Sequence, residues 1–227
     1  MTPLNWVRLE EATLRNDPFD YIHVADALSG ETAARIDAEF PAIRAAGSFS
    51  VDDAPPGPAL ATVIEELRSD RFRALMSRLF QIDLCGLPSM VTLRGMAGAR
   101  DGFVHTDSRS KVLSLLLYLN PDWASCDGQL RLLRDEHGLD APAVEIPAHM
   151  GSLVVFRRSD TSWHGHTRYD GVRRVLQFNY VTSTKAPVVG ELRHRLSALL
   201  KGRSPNGLGA AWPGRARHAA RAAVAAD

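Results

Sequence analysis

The strongest constraint on the fold is a series of short β-rich segments between residues 88 and 182, each bounded by glycine, proline or aspartate. The predicted strands are 90–93, 111–119, 129–133, 143–146, 152–156 and 173–181. No helical periodicity separates them, so the pattern favours an antiparallel sandwich or barrel over βαβ units. We therefore expect a mainly β core over residues 88–185.

Helical periodicity is found on both sides of this core. Ser29 is a good N-cap for a helix that ends at Pro41, and Ser69-Asp70 is a second N-terminal signal. Apolar residues at helical spacing predict helices over 60–67, 72–79 and 189–199. We expect residues 1–87 to form a mostly helical segment that packs on the core. Residues 186–227 should form one helix and a flexible Ala/Arg tail.

Composition excludes several classes of protein. Apolar residues make up 45% of the chain and charged residues 23%, which is typical of folded globular proteins. A net charge of +1 provides no general attraction for nucleic acid or an anionic membrane, so neither is expected as a partner. The chain has 2 cysteines, in no metal-binding or disulfide pattern, and neither a signal sequence nor a spanning segment is recognisable. We expect a soluble, cytoplasmic protein.

Two histidines and one aspartate form the first candidate site. His105 and Asp107 are two residues apart, so in an extended segment their side chains point to the same side. His164 follows the apolar strand 152–156 and supplies a third ligand. Two imidazoles and one carboxylate on one octahedral face are typical of non-haem Fe(II) sites, which keep open positions for a cosubstrate and O₂. A structural zinc site would instead close four positions, usually with cysteine.

The last predicted strand carries the second candidate site. One of its faces is polar for a core strand, since it bears Arg173, Gln177 and Asn179 beside Val175. A buried guanidinium needs a partner, and a bidentate carboxylate is its natural complement. The pattern therefore favours a dicarboxylate cosubstrate. Tyr118 is expected on the same side of its strand as Val112, Ser114 and Leu116.

Residues 88–182 resemble the prolyl 4-hydroxylase-like 2-oxoglutarate and Fe(II)-dependent oxygenases. The family's His-x-Asp matches His105 and Asp107, its distal histidine matches His164, and its Gly-x-Arg matches Arg173. Its tyrosine-leucine-asparagine segment is similar to 118–120, its glycine-leucine-arginine strand to 128–132, and the strand before its distal histidine to 151–156.

The resemblance implies a double-stranded β-helix, or jelly-roll, with flanking helices. It also implies Fe(II) on His105, Asp107 and His164, and 2-oxoglutarate held by Arg173 and Tyr118 beside Leu130. O₂ is the oxidant and ascorbate an optional reductant.

Two positions depart from the family pattern. His166 stands where valine is frequent and could compete with His164 for the metal, but the spacing of His164 from Arg173 favours His164. Arg94 stands where a tyrosine is frequent on the first barrel strand. We expect Arg94, His166 and Asn179 to contact substrate, with a surface ion pair as the alternative role for Arg94.

The expected activity is hydroxylation of a C–H bond, coupled to decarboxylation of 2-oxoglutarate to succinate. Charged residues near the predicted barrel mouth favour a polar small molecule or saccharide as substrate: Arg94, Arg100, Asp101, Arg157, Arg158 and Asp160. The predicted mouth loops are 44–58, 94–104, 120–128 and 157–162. The alternatives are a prolyl hydroxylase acting on a peptide, a non-catalytic jelly-roll that binds metal or sugar, and a zinc hydrolase. The oligomeric state stays open.

Overall fold

The computed structural model describes residues 2–183, and the helix and tail predicted beyond residue 186 lie outside this range. The helices are α1 (Trp6–Glu10), α2 (Gly30–Glu39), α3 (Pro58–Arg68) and α4 (Asp70–Phe80), with a 3₁₀ turn at Gly138–Asp140. The hydroxyl of Ser29 accepts from the amide of Thr32 at the start of α2, and that of Ser69 accepts from Phe72 at the start of α4. Within the described residues no helix has the length and apolarity needed to cross a membrane.

Nine strands form two antiparallel sheets. They are β1 (Tyr21–Val24), β2 (Phe49–Ser50), β3 (Ser89–Ala97), β4 (Lys111–Tyr118), β5 (Leu130–Leu132), β6 (Val144–Ile146), β7 (Leu153–Arg157), β8 (His164–Gly165) and β9 (Gly171–Val181). The large sheet has the order β1-β7-β4-β9-β3-β2 and the small sheet the order β6-β5-β8. The predicted mainly β, double-stranded β-helix core is confirmed, and the described helices all precede it in the chain, apart from the 3₁₀ turn.

Three strands were not predicted. β1 and β2 come from the segment expected to be helical, and they pair with the edges of the large sheet through β7 and β3. β8 pairs with β5 through only two residues. Segments of two to four residues are too short to show alternation in a sequence, which explains why these strands were missed.

The large sheet separates two apolar clusters. Helices cover one face, where the buried cluster includes Val63, Phe72, Leu115, Leu176 and Phe178. The other face looks toward the small sheet, and its cluster includes Tyr118, Leu132, Ile146, Phe156 and Val175. Alternating residues of β4 and β9 therefore belong to different clusters, as the period of two requires. The side chains that face the small sheet surround the candidate site.

Candidate active site

A cavity of about 350 Å³ opens between the two sheets. The large sheet contributes Ser114, Arg173 and Asn179 to its wall, and the small sheet contributes Leu130 and His164. The polar face predicted for β9 thus lines a cavity, which explains why a core strand carries polar residues on that side.

His105, Asp107 and His164 meet at this cavity. One ligand atom from each lies within 4.8 Å of the other two. The backbones of His105 and His164 form a reciprocal antiparallel pair, with both N–H···O distances at 3.0 Å. His105 is exposed, whereas His164 is buried under Phe156, at a ring separation of 4.7 Å. Residues distant in the chain are thus brought together as the spacing predicted.

Gly165 permits the close approach of these two segments. A Cβ atom at this position would lie 2.8 Å from the carbonyl oxygen of Gly102 and 3.2 Å from the backbone of Val104. Any side chain at residue 165 would push β8 away from the segment that carries His105. We infer that the glycine is required for the spacing of the two histidines.

Backbone carbonyls orient both imidazoles. Nδ1 of His105 donates to the carbonyl of Phe103 over 2.8 Å, and Nδ1 of His164 donates to that of Ser162 over 2.9 Å. A carbonyl oxygen only accepts hydrogen bonds, so the proton of each neutral ring is on Nδ1. Nε2 of each ring therefore keeps its lone pair, the form in which histidine binds a metal.

Two side chains hold the carboxylate of Asp107. Lys111 Nζ lies 2.7 Å from Oδ1, and the hydroxyl of Ser114 donates to Oδ2 over 2.5 Å. Arg158 Nε donates to the backbone carbonyl of Asp107 over 3.1 Å. Burial raises the pKa of Asp107, but Lys111, His164 and the hydrogen bond from Ser114 outweigh it and hold the pKa well below its usual range. Asp107 is therefore ionised at neutral pH.

Burial also determines the charge of His164. It lowers the pKa to about 4, while the nearby charge of Asp107 opposes the shift. His164 is therefore neutral at physiological pH. The neutral imidazole of His164, the imidazole of His105 and one ionised carboxylate form a donor set that fits a divalent transition metal and leaves other coordination positions open. This arrangement fits Fe(II).

Arg173 is buried without an acidic partner. It is 2% exposed, and its Nε donates to the carbonyl of Gly128 over 2.7 Å. Its Nη2 donates to the hydroxyl of Tyr118 over 3.1 Å. No carboxylate of the described residues forms an ion pair with Arg173, and its Nη1 has no hydrogen-bond partner among them. A buried positive charge without an acidic partner destabilises the folded protein unless an anionic ligand pairs with it.

The loop before β5 provides a hydrogen-bond acceptor that positions the guanidinium of Arg173. Gly128 has φ +79°, and a Cβ there would lie 2.9 Å from Tyr169 and 3.0 Å from Trp123. Only glycine suits this left-handed, crowded turn, and its carbonyl receives the guanidinium. Tyr118 is completely buried and reaches the site through Arg173, whereas Leu130 lines the cavity itself.

The three residues predicted to contact substrate all line the cavity. Asn179 is 2% exposed, and its amide has no hydrogen-bond partner among the described residues. His166 lies outside the cluster formed by His105, Asp107 and His164, and its Nδ1 donates to the carbonyl of Thr167 over 2.8 Å. Arg94 lies inside the cavity wall, where Nη1 is 2.9 Å from Asp101 Oδ2.

The predicted barrel mouth was partly wrong. Arg94, Arg100 and Asp101 line the cavity as expected. The other three do not line it; Arg157 pairs with Asp20, and Arg158 pairs with Asp160. From loop 44–58 only Ser48 reaches the cavity. Residues 120–125 line a separate cavity of about 210 Å³ beside Tyr169.

Sequence reasoning missed Lys111 and misplaced Val112. The pairing of β4 with β9 shifts register between Lys111 and Leu113. This irregularity lets Lys111 and Ser114 both reach Asp107, although strict alternation would place them on opposite faces. Val112 consequently packs with the helix-side cluster rather than with Leu116. The sequence signal available for Lys111 was its opposite charge four residues after Asp107.

Comparison with known proteins agrees with this geometry. Residues 96–181 match the family described as the 2OG-Fe(II) oxygenase superfamily. No curated protein sequence matches the chain. Enzymes of this superfamily use Fe(II), 2-oxoglutarate and O₂, and a His-Asp-His cluster that could hold the metal lies within the matched segment.

Solved structures share the fold. A prolyl hydroxylase from Trichoplax adhaerens, in complex with a hypoxia inducible factor oxygen degradation domain peptide fragment, has a TM-score of 0.51 and 18% identity, covering 78% of this chain and 86% of that chain. Viral collagen prolyl hydroxylase from Paramecium Bursaria Chlorella virus-1 has a TM-score of 0.50 and 13% identity, covering 71% and 96% respectively. We conclude that residues 96–181 of this chain match the 2OG-Fe(II) oxygenase superfamily, that the chain is an oxygenase, and that it shares the fold of these solved structures.

Proposed function

We propose that this oxygenase hydroxylates a C–H bond of a polar small molecule or saccharide and converts 2-oxoglutarate to succinate and CO₂. The observation that carries the proposal is that Arg173, buried without an acidic partner, faces the same cavity as His105, Asp107 and His164. The three clustered residues would hold Fe(II). Arg173 and Tyr118 would hold 2-oxoglutarate, with Leu130 against its carbon chain.

The protein contributes geometry and protection from water. When bound, Fe(II) and 2-oxoglutarate supply the oxidising chemistry that transfers one oxygen atom of O₂ to the substrate. The carbonyls of Phe103 and Ser162 fix the two imidazoles, and Lys111 and Ser114 fix the carboxylate. Ligands held in this way need no reorganisation when the metal arrives. Phe156 covers His164 and keeps water from that side.

The cavity wall supports a polar substrate. Asn179 and Nε2 of Gln177 have no hydrogen-bond partners among the described residues, although both side chains line the cavity. Buried amides are normally satisfied, so these groups favour a ligand that carries hydroxyl or carbonyl groups. His166 adds a ring nitrogen, since only its Nδ1 is bonded. 2-Oxoglutarate would occupy part of the cavity of about 350 Å³, and the remaining space is of a size that suits a small molecule.

One observation favours the alternative, a prolyl hydroxylase that acts on a peptide. Phe103 lines the cavity but is 75% exposed, so it presents a large apolar side chain at the entrance. An exposed aromatic beside a site is a common contact for a peptide. The Trichoplax adhaerens structure is itself a prolyl hydroxylase with a bound peptide fragment.

Succinate release tests the proposed function. Purified protein with Fe(II), 2-oxoglutarate and O₂ would be assayed against a panel of sugars, polyols and amino acids, and in parallel against proline-containing peptides. We expect the small molecules to stimulate release above the substrate-free rate, and Asp107→Ala to abolish it. Stimulation by the peptides alone would establish the alternative. Turnover that persists under nitrogen without 2-oxoglutarate would point instead to a hydrolase.

A further inference from the structure

Arg94 lies in the same row of side chains as Tyr118. In the large sheet Arg94 of β3 is directly opposite Val175 of β9, and Val175 is directly opposite Tyr118 of β4. Directly opposed residues of an antiparallel sheet point to the same face. Arg94 and Tyr118 therefore flank Val175 on its two sides, on the face that looks into the cavity. Arg173 is two residues from Val175 on the same face.

The polar contacts of Arg94 leave part of its guanidinium unused. Nη1 pairs with Asp101 over 2.9 Å, and Nη2 is 3.4 Å from the hydroxyl of Ser48. Nε is buried and has no hydrogen-bond partner among the described residues. An unsatisfied buried donor is costly, so the site is incomplete until an acceptor arrives. The Nη1 atom of Arg173 likewise has no hydrogen-bond partner among the described residues, although it is not fully buried.

The local charges are also unbalanced. Arg94 and Arg173 bring two positive charges to this wall, whereas Asp101 is the one carboxylate that pairs with either of them in the described chain. The same carboxylate oxygen of Asp101 also accepts from the backbone amide of Gly98 over 2.9 Å, so it does not interact with Arg94 alone. Burial lowers the pKa of Arg94, Asp101 opposes the shift, and the neighbouring charge of Arg173 adds to it. The two guanidiniums thus act on each other and need an anion between them.

We propose that Arg94 is a second guanidinium of the cosubstrate site, which binds the distal carboxylate of 2-oxoglutarate together with Arg173 and so increases selectivity for dianionic 2-oxo acids. This inference rests on the proposed function. It moves Arg94 from the substrate side, where the sequence placed it, to the cosubstrate side. It also gives the unpaired Nε–H an acceptor and the excess positive charge a counter-ion.

A comparison of two ligands isolates the contribution that the distal carboxylate makes to binding. 2-Oxopentanoate has the same number of carbon atoms and the same 2-oxo acid end as 2-oxoglutarate, but it has no distal carboxylate. Binding of both would be measured by anaerobic calorimetry on the Mn(II)-loaded protein, for wild type, Arg94→Gln and Arg174→Gln. Arg174 is the matched control, because it lies on the opposite face of β9 and pairs with Asp37.

We expect Arg94→Gln to weaken 2-oxoglutarate binding at least about tenfold and to change 2-oxopentanoate binding less than about twofold. Arg174→Gln should leave both affinities unchanged. Equal weakening of the two ligands would overturn the inference, because it would indicate a general structural effect. An unchanged affinity for 2-oxoglutarate would also overturn it, and Arg94 would then only hold the loop through Asp101.

A second variant, which is expected to strengthen 2-oxoglutarate binding, keeps the inference testable if Arg94→Gln does not fold. Asp101→Asn removes the negative charge that competes for Arg94 but keeps an acceptor oxygen. It should tighten 2-oxoglutarate binding and leave 2-oxopentanoate unaffected, and no tightening would contradict the inference. If the wild-type protein binds Mn(II) but no 2-oxoglutarate, the proposed function fails. If the wild-type protein binds 2-oxoglutarate and Arg94→Gln binds it equally well, this inference alone fails.

Discussion

The guanidinium of Arg173 on β9 donates to the hydroxyl of Tyr118 on the neighbouring strand β4, at 3.1 Å, and both side chains are buried. The bond joins a fixed positive charge to a group that can donate a further hydrogen bond, beside a cavity that also reaches His164. Neither residue has an acidic partner in the described part of the chain. The pair is therefore arranged to receive an anion supplied from solution.

Replacing Arg173 tests this arrangement. We expect Arg173→Gln to weaken 2-oxoglutarate binding by about 2–3 kcal/mol, because a charged hydrogen-bonding partner is lost inside the protein. Affinity for Mn(II) should stay within about twofold, since Arg173 is not in the metal-ligand cluster. Calorimetry of each ligand separates the two effects.

Arg174→Gln is the control for Arg173→Gln. Arg174 is adjacent in sequence but belongs to the other face, where its Nη1 pairs with Asp37 over 2.7 Å. Its replacement should leave 2-oxoglutarate binding unchanged. Loss in Arg174→Gln with normal binding in Arg173→Gln would reverse the assignment of the two arginines.

Removal of a proposed metal ligand should abolish metal binding. In Asp107→Ala and His105→Ala the cluster keeps only two donors, so Mn(II) affinity should fall by at least about a hundredfold. The signal of free Mn(II) in electron paramagnetic resonance measures this loss. His137→Ala is a matched control, because that side chain is 86% exposed and outside the cluster. Retained tight binding in Asp107→Ala would refute the triad.

His166 provides a sharper test of the metal site. It is two residues from His164, but it lies outside the cluster and its ring is bonded to the carbonyl of Thr167. His166→Ala should therefore keep Mn(II) affinity within about threefold, whereas His164→Ala should lose it. The same resonance titration distinguishes them. Comparable losses in the two variants would show that both histidines bind the metal.

Asn120 should be important for stability rather than for binding. Its amide donates to the carbonyl of Ala148 over 2.6 Å, and its Oδ1 accepts from the backbone of Arg174 over 2.7 Å. Asn120→Ala would leave these buried backbone groups unsatisfied, so the free energy of unfolding should fall by about 1–3 kcal/mol. Denaturant titration measures it, with the exposed Asn16→Ala as the control. A loss below about 0.5 kcal/mol would contradict this role.

The sequence predicted the parts of the site that follow from alternation along a strand. His105 and Asp107 were paired by their spacing of two residues, and the polar face of β9 placed Arg173 and Asn179 in one cavity. The placement of Arg173 and Asn179 on one cavity wall follows from β9, because a strand fixes which side chains share a face. The main helices were also predicted, since α3 and α4 are long enough to show periodicity.

The parts that failed depend on tertiary pairing. Lys111 reaches Asp107 only because β4 shifts register against β9. The residues around Lys111 carry no sequence signal that predicts this shift. Arg158 was expected at the mouth but pairs with Asp160 and supports the Asp107 backbone. Strand β8 exists because its two residues pair with β5. Register irregularities and the partners of charged side chains are set by segments far away in the chain, so one sequence does not reveal them.

The measurement that tests the central claim most directly is an anaerobic titration of the metal-free protein with Fe(II) and then 2-oxoglutarate, followed by visible absorption. Simultaneous occupancy of the His105, Asp107 and His164 cluster and the Arg173 site predicts the weak charge-transfer band of the chelate. The band should form with wild type and be absent with His164→Ala. If wild type binds Fe(II) but gives no band at saturating 2-oxoglutarate, the chain does not hold the cosubstrate on its metal and the account is wrong.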